Sequence, residues 1–419
     1  MPAIVLSIGD ELTSGQTINT NASWLSSQLA TIGIQTAAQV TVPDQLMPIV
    51  VAIREALERG VELLLISGGL GPTEDDLTRQ GLADALKEEL VEDPDAVIQV
   101  ERWIKSRNRP MSPSNRNQAL RPHSAVVMEN FTGTAPGLRV KKEETEIFVM
   151  PGVPSEMRAM FTEAILPMLR KSAGETVTML TKINTFGRGE SIIGEAIRDL
   201  MLRDAGTGNP VVGTSAHDGI VSVRIYATGR PAEATAMTEK IKRDVQSRLG
   251  PIVFGENDES LEGAVAGMLK EKRLTLATAE SCTGGLLATL LTDIAGSSAY
   301  FLRGWVTYTN GAKAEELGVP PELITANGAV SEPVARAMAE GARKCAGSDF
   351  GIGITGVAGP EGGSEGKPVG TVWLALAGKE GTEVRQFIFP GDRKGVRLRA
   401  AQMALSMLRW RILGVAAPV

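Results

Sequence analysis

The sequence predicts an α/β protein, with two α/β domains and a small α+β domain between them. Three observations predict it. Short apolar runs alternate with amphipathic stretches over residues 1–172, and again over 256–419. Residues 175–252 follow a different order, β-α-β-β-α. The length, 419 residues, is too great for one hydrophobic core.

The bulk composition narrows the class. Apolar residues make up 43% and charged residues 22%, as in ordinary globular proteins. The net charge of −6 disfavours a broad basic surface for nucleic acid or anionic membrane. Two cysteines, Cys282 and Cys345, rule out a disulfide framework and suit a reducing compartment. Two histidines, His123 and His217, argue against a His-rich metal site. MPAIVLSIGDEL lacks a basic leader and a long apolar run, so it reads as a first strand and not as a signal peptide. No apolar run approaches the ~20 residues of a membrane span. The expected location is cytoplasmic.

In order along the chain, AIVLSIG, VELLLISGG, SAVVME and TEIFVMPG read as strands. NASWLSSQLATIG and QLMPIVVAIREALERG read as helices, the second closing on Gly60. This βαβ rhythm predicts a mainly parallel sheet with helices on both faces. In the middle segment TVTMLTKINTFG is a strand and ESIIGEAIRDLML a helix. PVVGTSA and IVSVRIYAT form a hairpin around His217-Asp218-Gly219, and PAEATAMTEKIKRDVQSRLG is a closing helix. GENDESLEGAV reads as a linker entering a capped helix. The last segment runs through LTLATAE, GWVTYTNGAKAEELG, FGIGITGVAGP and GTVWLALA to the helix VRLRAAQMALSMLRWRIL. PEGGSEGKPVG, residues 360–370, is a Gly-rich loop of the kind that covers a ligand.

Two turns carry chemistry. In ISGGLGPTEDDLT, Gly68, Gly69 and Gly71 let backbone N–H groups approach an anion. Glu74, Asp75 and Asp76 are expected in the first helical turn, either as caps or as ligands for a divalent cation against a pyrophosphate. GDELTSGQTINTN, GTAPG and PGVPSEM fall at strand ends, where ligands of open α/β sheets bind, and are expected to converge. In TAESCTGG, Ser281 and Cys282 are both candidate nucleophiles. Gly284, Gly285 and the following helix amides suit an oxyanion site. The alternative is that Ser281 or Thr283 caps that helix. No histidine occurs in this segment, so a Ser-His-Asp arrangement is excluded within it and a Ser-Lys pair stays open. Lys313 in YTNGAK, five residues after Tyr308, is the candidate base; otherwise it is a solvated helix residue. FGRGES has one residue between its glycines, not the GXXG of a KH domain that grips nucleic acid, so a spacer or dimer contact is the favoured reading there.

Taken together these phrases are recognisable. GDEL, VPD, SGGLGPTEDDLT, NRNQA, GTAPG and PGVPSEM resemble the molybdopterin-binding MoaB/MogA-like fold, in the arrangement of the N-terminal domain of the CinA (competence/damage-inducible) family. TAESCTGG, YTNGAK, GITGVAGP and GDRKGVRLRAAQMAL resemble that family's C-terminal nicotinamide-nucleotide amidase domain, with a KH-like domain between.

The resemblance implies a three-layer domain over 1–172 that hydrolyses ADP-ribose with a divalent metal. Asp10, Glu11, Asp44, Asp75 and Asp76 are its candidate acids, and Asp44 and Asp76 match the fold's functional aspartates. It implies a KH-like domain over 175–252. It implies an amidase over 256–419, free of cofactor, that deamidates nicotinamide mononucleotide. There Ser281 is the nucleophile, supported by Lys313 and Tyr308. Thr355 and Arg397 match substrate-binding positions, with Arg393 and Arg399 as close rivals; Gly284, Gly285, Asn310 and Gly356 complete the site. YTNGAK departs mildly from the usual YSNxxK. A homodimer is expected, with no membrane or nucleic-acid partner. The competing reading is a non-catalytic molybdopterin- or nucleotide-binding module, or a partner in competence.

Overall fold

The computed structural model describes residues 2–108, 110–173, 176–202, 209–416 and 418. The expected joint between the first two segments includes residues 174 and 175, which lie outside them. Two compact units form, residues 1–180 with 227–237 and residues 181–226 with 238–419.

In the first unit the strands are β1 (Pro2–Ile8), β2 (Gln35–Val42), β3 (Leu63–Ser67), β4 (Leu90–Glu92), β5 (Leu120–Pro122), β6 (Val126–Met128), β7 (Gly137–Lys142) and β8 (Thr145–Met150). The main sheet has the order β2-β1-β3-β8-β7-β6. Its first four strands are parallel, and β7 and β6 return antiparallel. The alternation of side chains along a strand makes this a three-layer structure. Ile4, Leu6, Leu64 and Ile66 join one core with Ile49 and Ile53 of helix Leu46–Glu58. Ala3, Val5, Leu63 and Leu65 join the opposite core with Leu25 and Leu29 of helix Thr20–Thr31. Each such side chain, wholly removed from water, contributes about 1.5–3 kcal/mol.

The middle segment contributes β9 (Val177–Phe186), β10 (Val211–His217), β11 (Ile220–Gly229) and β12 (Val253–Glu256), in the order β10-β11-β9-β12. The hairpin between β10 and β11 turns at Asp218 (φ 50°) and Gly219 (φ 84°). The Gly255-Glu256 start of the expected linker lies in β12 and pairs with β9, past residue 252. Ser260 then caps helix Leu261–Lys272 through the Gly263 N–H.

The C-terminal sheet has β13 (Leu276–Glu280), β14 (Phe301–Val306), β15 (Phe350–Gly356), β16 (Thr371–Gly378) and β17 (Gly381–Ile388), in the order β14-β13-β15-β16-β17. β14, β13 and β15 are parallel, and β16 and β17 antiparallel. Helix Arg393–Leu413 buries Val396, Ala400, Leu405, Leu408 and Trp410 on one face. Helix Glu332–Ala346 lies on the other. Its approach explains the glycines of FGIGITG, because a Cβ on Gly351 or Gly353 would sit 2.2 Å and 2.4 Å from the Ala339 and Ala335 carbonyl oxygens.

Candidate active site

β13 ends in Glu280, and the chain turns through residues 281–285 before helix Leu286–Thr292. The Ser281 N–H donates to the Ile354 carbonyl of β15 (2.9 Å), which ties the turn to the sheet. Gly284 (φ 60°) and Gly285 (φ 89°) take left-handed conformations that favour glycine. Neither Ser281 nor Thr283 caps the helix. Glu280, only 1% exposed, reaches past the turn and accepts the N–H groups of Leu287 (3.0 Å) and Ala288 (2.8 Å). Those helix amides are therefore occupied and do not serve an oxyanion, contrary to the expectation from the sequence. The Gly284 N–H is also occupied, by the Ser281 carbonyl (3.1 Å). The Cys282, Thr283 and Gly285 amides, which have no backbone or side-chain oxygen acceptor among the described residues, are the donors left in the turn.

Lys313 is 1% exposed, in the first turns of helix Asn310–Leu317, whose N-cap Thr309 accepts the Ala312 N–H. The solvated-helix reading is excluded. Its Nζ lies 3.1 Å from Ser281 Oγ, 2.8 Å from the Thr307 carbonyl oxygen and 3.3 Å from that of Tyr308. Burial pushes the ammonium below the ordinary lysine range, because water no longer stabilises the charge. A neutral amine has two N–H donors and one lone pair. Two carbonyl acceptors and one hydroxyl donor match that set.

Other expected residues are divided by the structure. Tyr308 is 57% exposed; its hydroxyl accepts from Arg393 Nη2 (2.9 Å), and only its backbone carbonyl meets Lys313. Asn310 is exposed at the helix start. Thr355, 1% exposed, donates to the Ala329 carbonyl (2.8 Å), and Gly356 ends β15 beside it. Arg397 clamps the Thr283 carbonyl through Nε (3.1 Å) and Nη2 (2.6 Å), so it braces the turn that carries Ser281. Arg393, one helical turn earlier on the same face, also bonds the Gly359 carbonyl (2.7 Å) at the rim. Arg399 faces elsewhere, toward Pro390 (2.8 Å) and Gly219. Cys282 is buried and its thiol is pushed up to about 12 by burial, so it is no nucleophile near neutral pH.

In the first unit the expected loops do converge at the strand ends. Asn21 Nδ2 bonds the Gly152 carbonyl (2.7 Å) and Ser67 Oγ (3.2 Å). Gln118 bonds the Leu70 carbonyl (3.4 Å) and Thr134 Oγ1 (3.2 Å). Gly68 (φ 113°) is obligatory, since a Cβ there would lie 2.1 Å from the Ile8 carbonyl oxygen. Cβ atoms on Gly69 and Gly71 would collide with Thr78 Oγ1 and the Asp76 carboxylate.

The acids differ from expectation. The helix begins only at Thr78, so Glu74, Asp75 and Asp76 precede it. Asp76 takes the N–H groups of Gly71 (2.7 Å) and Thr73 (2.8 Å) and the Thr73 hydroxyl, folding the loop back on itself. Asp10 and Asp44 exchange bonds, each carboxylate accepting the other's N–H (2.9 and 3.1 Å). The Asp44 carboxyl is raised by burial and by the nearby charges of Asp10, Glu11 and Asp75, and the Asp10 amide opposes this. Asp75 is lowered by its bond to Thr73. Among the described residues no three His, Cys, Asp or Glu side chains are grouped to hold a metal ion. With Asp76 holding three bonds within its own loop and no such grouping formed, the acids as placed do not fit a resident cation.

Two residues escaped the sequence reading. Glu280 carried a signal, a buried acid at a strand end before an otherwise uncapped helix. Arg79, 4% exposed, bonds the Leu70 and Gly71 carbonyls, and burial lowers it to about 10; nothing local in LTRQ announces this.

Comparison with known proteins agrees with this architecture. Residues 4–171 match the family profile described as "Probable molybdopterin binding domain", 181–255 the damage-inducible protein CinA KH domain, and 258–412 the CinA C-terminal domain. A relative from Moorella thermoacetica, named for competence-damage inducibility, is 44% identical and covers 99% of both chains. A CinA-like protein from Geobacter sulfurreducens is 41% identical over 99% of this chain and 100% of its own. A crystal structure of competence/damage inducible protein CihA from Agrobacterium tumefaciens is 45% identical and covers 35% of this chain and 91% of its own, with a TM-score of 0.35.

Proposed function

The chain belongs to the CinA family, and from that premise we propose that its C-terminal domain is a Ser-Lys amidase that converts nicotinamide mononucleotide to nicotinate mononucleotide and ammonia. One observation carries the reading: a buried lysine, held by two carbonyls, with its Nζ 3.1 Å from Ser281 Oγ. Neutral Lys313 takes the Ser281 proton as Oγ attacks the carboxamide carbon. The tetrahedral oxyanion is met by turn amides, with Thr283 and Gly285 as donors. Lys313 returns the proton to the departing nitrogen, the C–N bond breaks and ammonia leaves. Water, deprotonated by Lys313, then cleaves the acyl-serine. Arg393 at the exposed rim suits the substrate phosphate, and Arg397 holds the turn.

For the N-terminal domain the proposed reaction is hydrolysis of ADP-ribose to AMP and ribose 5-phosphate. Its support is Gly68 packed against Ile8, two residues before Asp10, and the paired Asp10 and Asp44, of which the raised Asp44 carboxyl suits proton transfer. No step is routed through a cation.

Ammonia release from the mononucleotide tests the amidase. Ser281→Ala should lose on the order of 10³-fold or more in kcat, and Cys282→Ala should stay within about threefold. Near wild-type release by Ser281→Ala would sink the proposal.

A further inference from the structure

Within the second unit a cleft of about 520 Å³ opens between the middle sheet and helix Arg393–Leu413. None of Ser281, Lys313 or Tyr308 lines it. We propose that this cleft binds a nucleoside monophosphate, a planar ring carrying one phosphate.

The apolar wall is made by Phe186, Val221, Phe389 and Met403, each at most 8% exposed. Two aromatic side chains suit a flat heterocycle, by stacking or edge contact. Two guanidiniums reach the same cleft. Arg188 comes from the turn after β9 and Arg399 from the C-terminal helix. Each makes one bond to a backbone carbonyl, Arg188 to Pro418 (2.5 Å) and Arg399 to Pro390 (2.8 Å). Neither has a carboxylate partner among the described residues. The two acids on the lining are already engaged, Glu190 with the Thr214 hydroxyl (2.8 Å) and Asp218 with His217 (3.2 Å). Arg188 and Arg399 thus each keep N–H donors beyond their one backbone bond and are ion-paired with neither lining carboxylate, and phosphate is the anion a guanidinium fork fits.

A second observation points to the same place. Gln402 is 94% buried (6% exposed), and its Oε1 has no hydrogen-bond partner. It sits behind Gly219 of the lining, 3.3 Å from where a Cβ on that residue would lie, with the Phe186 ring also at 3.3 Å and Arg399 Cγ at 3.5 Å. This unmet acceptor, next to the lining but behind the Gly219 turn, puts a polar point beneath an otherwise apolar wall. The volume falls within the ~300–1,000 Å³ of small-molecule sites. The cleft is concave and the chain is acidic overall, which favours a mononucleotide over a polymer that needs a basic track.

The test titrates AMP calorimetrically into the full chain, Arg188→Ala and Ala216→Trp. Ala216 is an exposed lining residue, so the indole fills the cleft from outside. The expected result is an AMP-binding event in the wild type that is weakened about tenfold or more in Arg188→Ala and missing in Ala216→Trp; any binding of AMP as product in the N-terminal domain is a separate event that both variants keep. Melting temperatures within about 2 °C of wild type establish that both variants are folded. Arg188 is exposed, so Arg188→Ala alone decides the matter if the tryptophan variant melts early. Absence of AMP binding by the wild type, or an isotherm unchanged in Arg188→Ala, overturns the proposal. Ammonia release plays no part in this readout, so its failure and that of the amidase reading are distinguishable.

Discussion

In the turn after β3, Asp76 spends both carboxylate oxygens on the loop that carries it. In the turn after β13, Glu280 spends both of its own on the helix beyond, and leaves Ser281 to Lys313. Both are glycine-rich strand-to-helix turns with an acid at hand. They differ in which group is left unsaturated. An acid whose two oxygens both hold backbone amides acts as scaffold, whereas a hydroxyl facing a desolvated amine is placed to act as reagent. Residue type alone does not tell these apart.

Lys313→Met should break the comparison most severely. Loss of the base should cost on the order of 10³-fold in ammonia release, although the buried methionine fits. In the wild type, kcat/KM should rise with pH to an inflection below the 10.5 of an ordinary lysine, since only the neutral amine accepts a proton. The stability sign follows from the same lowered value. Between the folded value and 10.5 the unfolded chain binds more protons, so the penalty of burying Lys313 is full at lower pH and fades as pH rises through that window. A pH series of melting temperatures for wild type and Lys313→Met should therefore converge at high pH.

Glu280→Ala should come next. It strands two buried helix amides and should cost about 2–4 kcal/mol in urea unfolding of the second unit, with a matching loss of activity. A fully stable, inactive variant would instead make Glu280 a reagent.

At the first turn, Asp76→Ala should lower stability by about 1–2 kcal/mol, through three lost loop bonds. Asp44→Asn should leave the melting temperature nearly unchanged while slowing AMP release from ADP-ribose. The reverse pattern would exchange their roles. Tyr308→Phe should have the smallest effect, about two- to fivefold in KM with kcat retained, because its hydroxyl meets only Arg393.

Much of this was legible before any coordinates. The periodicity of AIVLSIG and VELLL set a parallel, doubly covered sheet, since residues buried on both faces must be apolar throughout. The His217-Asp218-Gly219 hairpin followed from the left-handed turn such residues allow. TAESCTGG and YTNGAK singled out Ser281 and Lys313 by resemblance, and the fold brings them within 3.1 Å. Other features depended on contacts distant in sequence. Thr78, not the acids before it, opens its helix because Asp76 folds back onto Gly71 and Thr73. Arg397 braces a turn more than a hundred residues away, while Arg399, two residues later, faces the opposite side of the same helix.

By itself the sequence determined the strands and the glycine turns, including the one that carries Ser281, all set by periodicity and local backbone sterics. The tertiary structure alone decided which polar atoms are satisfied. Lys313 has a lowered pKa only because β13 and helix Asn310–Leu317 bury its amine against two carbonyls, and desolvation is a property of packing, not of composition.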